Sequence, residues 1–280
     1  MRKRRLLIYW LILLITVSFT IPTDAFALKA GFDGISDYSH WWYPNCSYGD
    51  RAGAQYVNNL YNAIKSSFSL GFKYTDYDAN ESHLRTDSIV NSVQFYAFSG
   101  HGKSWTYENG AHFYARSTGE CWHDSSMENY DSVNARTNEV RLGHSPGYCL
   151  WATFYSCHWL RNDGNTTKQQ NIFKMFEGAT LQMGFASVMY LDSREGTAYG
   201  NNLVGGDKII DAFLKAARIY QKQRKDGDSI TRVVGYTAAK DDTIRSYCPA
   251  LPSSKWYKNA PSLYSVIVTE VIPHNGIPIP

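Results

Sequence analysis

The stretch Ser92-Val93-Gln94-Phe95-Tyr96-Ala97-Phe98 runs straight into Ser99-Gly100-His101-Gly102. Its aromatic and β-branched residues favour a buried, pleated strand, and the Gly-His-Gly triplet breaks it. A second stretch repeats the arrangement: Tyr148-Cys149-Leu150-Trp151-Ala152-Thr153-Phe154-Tyr155 meets Ser156-Cys157-His158. Near-continuous apolar character is expected of a strand covered on both faces. In open α/β sheets ligands sit beyond the carboxyl ends of the strands. Two buried strands ending in His101 and Cys157 therefore predict a sheet and the place of its site together.

Around these strands the periodicity alternates. Residues 28–35 and 72–77 read as strands. Between them, residues 54–68 place Val57, Leu60, Tyr61, Ile64 and Phe68 at three- and four-residue steps, an amphipathic helix with Gly71 as its stop. Residues 103–147 form a long polar, Gly- and aromatic-rich excursion with room for one hairpin, the kind of loop that is usually functional or disordered. A helix is expected over 167–176, stopped by Gly178, and a buried strand over 180–189. The strongest helical face is Ile209, Ile210, Phe213, Leu214, Ala217 and Tyr220 within 207–222, with Asp207 suited to its first turn. Strands over 230–236 and 263–272 close the series. The expected fold is α/β: a mostly parallel central sheet with helices on both faces, in one domain over 28–280 that ends in a short C-terminal strand extension.

Arg2-Lys3-Arg4-Arg5, the apolar run from Leu6 to Phe19 and Ala25-Phe26-Ala27 form a signal-peptide pattern, with cleavage expected after Ala27. The apolar run is short for a span of roughly 20 residues, so the expectation is a secreted or extracytoplasmic protein with no stable membrane span once the leader is removed. Of the 280 residues, 44% are hydrophobic and 15% aromatic, ordinary packing material with a high share of rings. The formal charge of +3 includes the basic leader. No basic stripe of the kind that binds nucleic acid is present, which sets that class aside. The 5 cysteines, Cys46, Cys121, Cys149, Cys157 and Cys248, are odd in number, so an exported chain keeps at least one thiol alongside one or two disulfides. Asn45, Asn80 and Asn165 open glycosylation acceptor patterns, which matter in a eukaryotic source.

A cysteine nucleophile acts as its thiolate, which a neighbouring imidazole supplies. Glycines on both sides of His101 allow a sharp turn and close approach of a substrate. The N–H groups of Gly102 and Cys157 are the candidate oxyanion donors. An apolar strand ending His-Gly, followed by an apolar strand ending in Cys behind a small residue, resembles the superfamily of caspases, gingipains, clostripain, legumain and separase. Phe95 to Gly102 carries the first half of that resemblance and Leu150 to Cys157 the second. The order His before Cys, 56 residues apart, also fits, whereas papain-like enzymes and cell-wall amidases place Cys first. Overall order agrees over about residues 28–240, and specific identity is confined to the two motifs. The chain looks like an exported bacterial branch of that superfamily. The resemblance implies a caspase-like three-layer sandwich, His101 as general base, Cys157 as nucleophile, Gly102 as oxyanion donor, and a peptide or protein substrate cleaved through a thioester acyl-enzyme.

His158 after the nucleophile is not required by that pattern. Asp192, Arg194 and Glu195 are specificity candidates by location alone, and no substrate-binding residue is assigned. His112, His123 and His144 accompany Glu120 and Asp124 in the long excursion, but scattered loop polar groups explain them better than a metal site. No cofactor or metal is expected, and nothing in the sequence indicates calcium. Cys149 is expected to pack in the core or enter a disulfide. Two other readings stand beside the enzyme: a secreted binding protein on the same fold that has lost turnover, and a structural disulfide at Cys157. Oligomeric state is not legible.

Overall fold

The computed structural model describes residues 28–36, 52–113, 134–144, 148–224, 227–256 and 263–275. The leader, Cys46, Cys121, His123, Glu120 and Asp124 lie outside them. β1 (Leu28–Gly34) is followed by α1 (Ala52–Ile64) and β2 (Phe68–Thr75), then two short helices, α2 (Ser82–Arg85) and α3 (Asp87–Val90). β3 (Phe95–Ser99) leads into three short strands, β4 (Gly102–Ser104), β5 (Asn109–His112) and β6 (Asn134–Arg136). β7 (Trp151–Tyr155), α4 (Thr166–Lys174), β8 (Leu181–Phe185), α5 (Ser193–Gly205), α6 (Ile209–Tyr220), β9 (Ser229–Tyr236) and β10 (Tyr264–Ile272) complete the order.

The central sheet has seven strands in the order β10-β9-β8-β7-β3-β1-β2. β2, β1, β3, β7 and β8 run parallel, and β9 and β10 are antiparallel additions. Both faces are covered because side chains alternate along each strand. Phe32, Phe95, Trp151, Tyr155, Met183 and Phe185 meet Tyr56 and Leu60 of α1, Tyr199 of α5 and Phe213 of α6 on one face. Tyr96, Phe98, Ala152 and Phe154 point the other way, against Trp159, Phe173 of α4, and Ala111 and Ala135 of the small antiparallel sheet β4-β5-β6. The result is a three-layer α/β sandwich.

The expected strands and the helices over 54–68, 167–176 and 207–222 all have counterparts, but the first helix ends at Ile64, and Phe68 and its expected stop Gly71 belong to β2. The excursion after His101 holds three described strands rather than one hairpin, and the strand expected over 180–189 stops at Phe185. The short helices α2 and α3 and the longer α5 are missing from the sequence reading, α5 being the largest of them. Its glycines argue against a helix, yet they serve its packing: a Cβ on Gly196 would stand 2.4 Å from the Tyr56 carbonyl oxygen, and one on Gly200 would stand 2.5 Å from Ala63 Cβ. Asp192 caps it, accepting from Arg194 N–H at 2.9 Å, and Gly206 ends it with a φ of +96°. No described helix is long and apolar enough to cross a membrane.

Candidate active site

β3 and β7 are parallel neighbours with Ser99 opposite Tyr155. The ladder continues past both strand ends. Gly100 N–H donates to the Tyr155 carbonyl at 3.2 Å. One residue on, the Ser156 hydroxyl donates to the His101 carbonyl at 3.0 Å. His101 and Cys157 thus lie two residues beyond a matched pair, on backbones tied together. Gly102 closes the arrangement: a Cβ there would fall 2.1 Å from Ser156 Oγ and 2.3 Å from the Cys157 carbonyl oxygen. Only glycine lets these two segments meet.

The end of β3 is also held from its other side. Ile35 N–H donates to the Ser99 carbonyl at 2.9 Å, and a Cβ on Gly53 at the start of α1 would stand 3.0 Å from that same oxygen. The Ser36 hydroxyl accepts from Ala54 N–H at 2.8 Å, pinning the start of α1 beside the strand ends.

Cys157 is half-buried against the face covered by α1, α5 and α6. Its Sγ accepts from Met189 N–H at 3.4 Å, a donor that complements negative charge on sulfur. The chain turns at once: His158 has a φ of +61°, a sparsely populated conformation for a non-glycine residue. His158 N–H donates to the Ser187 carbonyl at 3.0 Å. The strand therefore does not continue through His158, and residues 187–189 form a strap against Cys157. Burial, with Arg161 adding to it, holds the His158 imidazole below its ordinary pKa.

The strap rests on a buried polar network. Gln221 brackets Tyr190, accepting from its N–H at 2.8 Å and donating to its carbonyl at 2.9 Å. Gln221 Nε2 also donates to Tyr155 Oη at 2.9 Å and to Glu195 Oε2 at 2.8 Å, and Tyr155 donates to the same carboxyl oxygen. Tyr155 stacks on Tyr56 with ring centroids 4.1 Å apart. Glu195 is 1% exposed, and its Oε1 has no hydrogen-bond partner among the described residues. Burial pushes this carboxyl up to about 8, although Tyr155 and Gln221 pull it back. One unpartnered oxygen agrees with a protonated acid near neutral pH.

Of the candidates placed by location, Glu195 is sealed in this network. Burial raises Asp192, but hydrogen bonds from Arg194 and Gln223 outweigh it and hold its carboxyl below the ordinary range. Asp192 and Arg194 thereby cap α5 and pair with each other. The tie made by the Ser156 hydroxyl, and Gln221 altogether, escaped the sequence reading. So did Asp33, which is wholly buried at the end of β1 and contacts His83 Nδ1 at 2.9 Å and Tyr96 Oη at 3.0 Å.

Cys149, Cys157 and Cys248 form no disulfide with one another. Cys149 packs in the core with its Sγ directed at the Trp151 carbonyl at 3.6 Å, and burial raises its thiol well above the ordinary range. His144 contacts Asp87 at 3.1 Å, and no group of three or more His, Cys, Asp or Glu could hold a metal among the described residues.

Residues 32–259 match the model of DUF6345, a domain of unknown function. No curated protein matches the chain.

Proposed function

We propose that this chain, which belongs to the DUF6345 family, is a cysteine peptidase built like the caspase superfamily and acting outside the cytoplasm after removal of its leader. The observation that carries the reading is the placement of His101 and Cys157 two residues beyond the matched Ser99–Tyr155 pair, at the carboxyl ends of adjacent parallel strands. Cys157 thiolate attacks the carbonyl carbon of a peptide bond, its proton having passed to His101. The N–H groups of Gly102 and Cys157 meet the oxyanion. Collapse of the tetrahedral intermediate breaks the C–N bond while His101 returns the proton to the leaving amine. Water, deprotonated by His101, then attacks the thioester and releases the carboxylate and the thiol.

The deciding experiment is turnover of a mixed peptide library by the purified protein beside Cys157→Ala, with cleaved bonds read by mass spectrometry. Cleavage lost in the variant supports the peptidase. Equal products from both proteins, or none with and without reductant and calcium, overturn it and leave the binding reading.

A further inference from the structure

Two segments lead away from the candidate dyad. From His101 the chain continues as Gly102, Lys103 and Ser104 in β4. From Cys157 it turns through His158, with Arg161 N–H donating back to the His158 carbonyl at 3.0 Å. Residues of both continuations line one cleft of about 470 Å³. Ser104 comes from one continuation and Arg161 from the other, and Asp163 and Lys168 share the lining with them. At roughly 3.3 Å per residue of extended chain, Ser104 lies about 7 Å beyond Gly102. A peptide bound across the dyad and running this way reaches the cleft two or three residues from the scissile bond.

The lining has more positive charge than its own groups satisfy. Lys168 has a side chain only 4% exposed, yet its ammonium meets Ser104 Oγ at 2.8 Å and Asp163 at 3.1 Å, which leaves one of its three protons over. Arg161 contacts the same carboxylate through Nε at 2.6 Å, and its two terminal nitrogens have no partner among the described residues. Arg224 acts on His158, and Arg232 and Asp163 act on each other, through space. One carboxylate, Asp163, thus answers two cations of the lining, Arg161 and Lys168, with Arg232 acting on it through space. The unused guanidinium edge of Arg161 has the planar fork that suits a second carboxylate.

We propose that this cleft is a substrate subsite for an acidic side chain, Asp or Glu, held by Arg161 and Lys168 a few residues from the scissile bond. This rests on the peptidase reading for its direction of approach. The site takes the carboxylate between Arg161 and Lys168, with Asp163 fixing both cations in place beforehand.

Bromoacetyl tripeptides that place Asp or Asn at their third residue test this without turnover, because Cys157 displaces bromide and the carboxylate alone differs. The intact protein should be labelled about tenfold faster by the Asp reagent, the value of one charge-assisted contact. Added salt should reduce the ratio, and Arg161→Ala and Lys168→Met should each bring it toward one. A ratio near one in the parent protein, or one unchanged in both variants, overturns the subsite. His101→Ala separates the two readings: if its labelling by the neutral Asn reagent matches the parent's, the dyad is overturned, while the Asp/Asn ratio still decides the cleft.

Discussion

Gln221 and Tyr190 share a pair of hydrogen bonds that fixes a peptide segment from both sides, at 2.8 Å through the Tyr190 N–H and 2.9 Å through its carbonyl. The preceding residue, Met189, gives its N–H to Cys157. Gln221 therefore acts on the sulfur through one intervening residue, as a positioning residue. Replacing it by Ala leaves several buried groups unpaired, at a cost of about 1–3 kcal/mol. We expect a lowered melting temperature and, well below that temperature, a several-fold change in iodoacetamide labelling of Cys157. A destabilised variant labelled at the parent rate would reduce Gln221 to a purely structural role.

Ser156→Ala removes the hydroxyl that ties the two motifs together through the His101 carbonyl. It opens little space and should cost about 1 kcal/mol of stability. Its larger effect is expected on the coupling of the dyad: the dependence of labelling on His101 should weaken. The measurement is the Ser156→Ala and His101→Ala double-mutant cycle for the labelling rate, and strict additivity would count against the tie.

Glu195 makes stability fall as pH rises. Its folded-state value of about 8 lies above the ordinary glutamate value of 4.5, so between these values the folded chain keeps a proton that the unfolded chain releases. The stabilisation present below about pH 4.5 is then lost by up to roughly 1.4 kcal/mol per pH unit through this window. Glu195→Gln mimics the protonated acid and should flatten this dependence. Denaturant unfolding at pH 6 and pH 8 reads it, and equal slopes in both proteins would show that Glu195 is not the titrating group.

Gly196→Ala drives a methyl group against the Tyr56 carbonyl oxygen at 2.4 Å. The backbone of α1 cannot yield as a side-chain tip does, so separation of α1 from α5 should cost about 1–3 kcal/mol. Gly205→Ala, with nothing within 4 Å of its added Cβ, is the control. Comparable melting temperatures for the two variants would refute the close approach.

The central strands were legible because burial on both faces leaves an apolar run that polar residues then cut short. That is why Phe95–Ser99 and Trp151–Tyr155 stood out, and His101 and Cys157 with them. α5 was not legible because its glycines answer to Tyr56 and Ala63, more than a hundred residues away in the chain, and not to local helical preference. Its cap, Asp192, and Gly206 at its end were the local signals that could have revealed it. The contacts of Ser156, Gln221 and Asp33 were invisible for a related reason. Their partners His101, Tyr190 and His83 are distant in sequence, and a hydrogen bond between distant residues leaves no periodic trace. The strand expected over 180–189 failed at Phe185 because apolar residues beyond it belong to the strap against Cys157.

The place of β3 and β7 in the strand order has a consequence for how the site would fail. Three strands lie to one side of this pair and two to the other, so fraying at β10 or β2 does not reach it. Amide protons at Ala97 and Thr153 should be among the last to exchange with solvent. On warming, loss of reactivity at Cys157 should then coincide with cooperative melting of the whole sheet, with no earlier inactivated but folded stage.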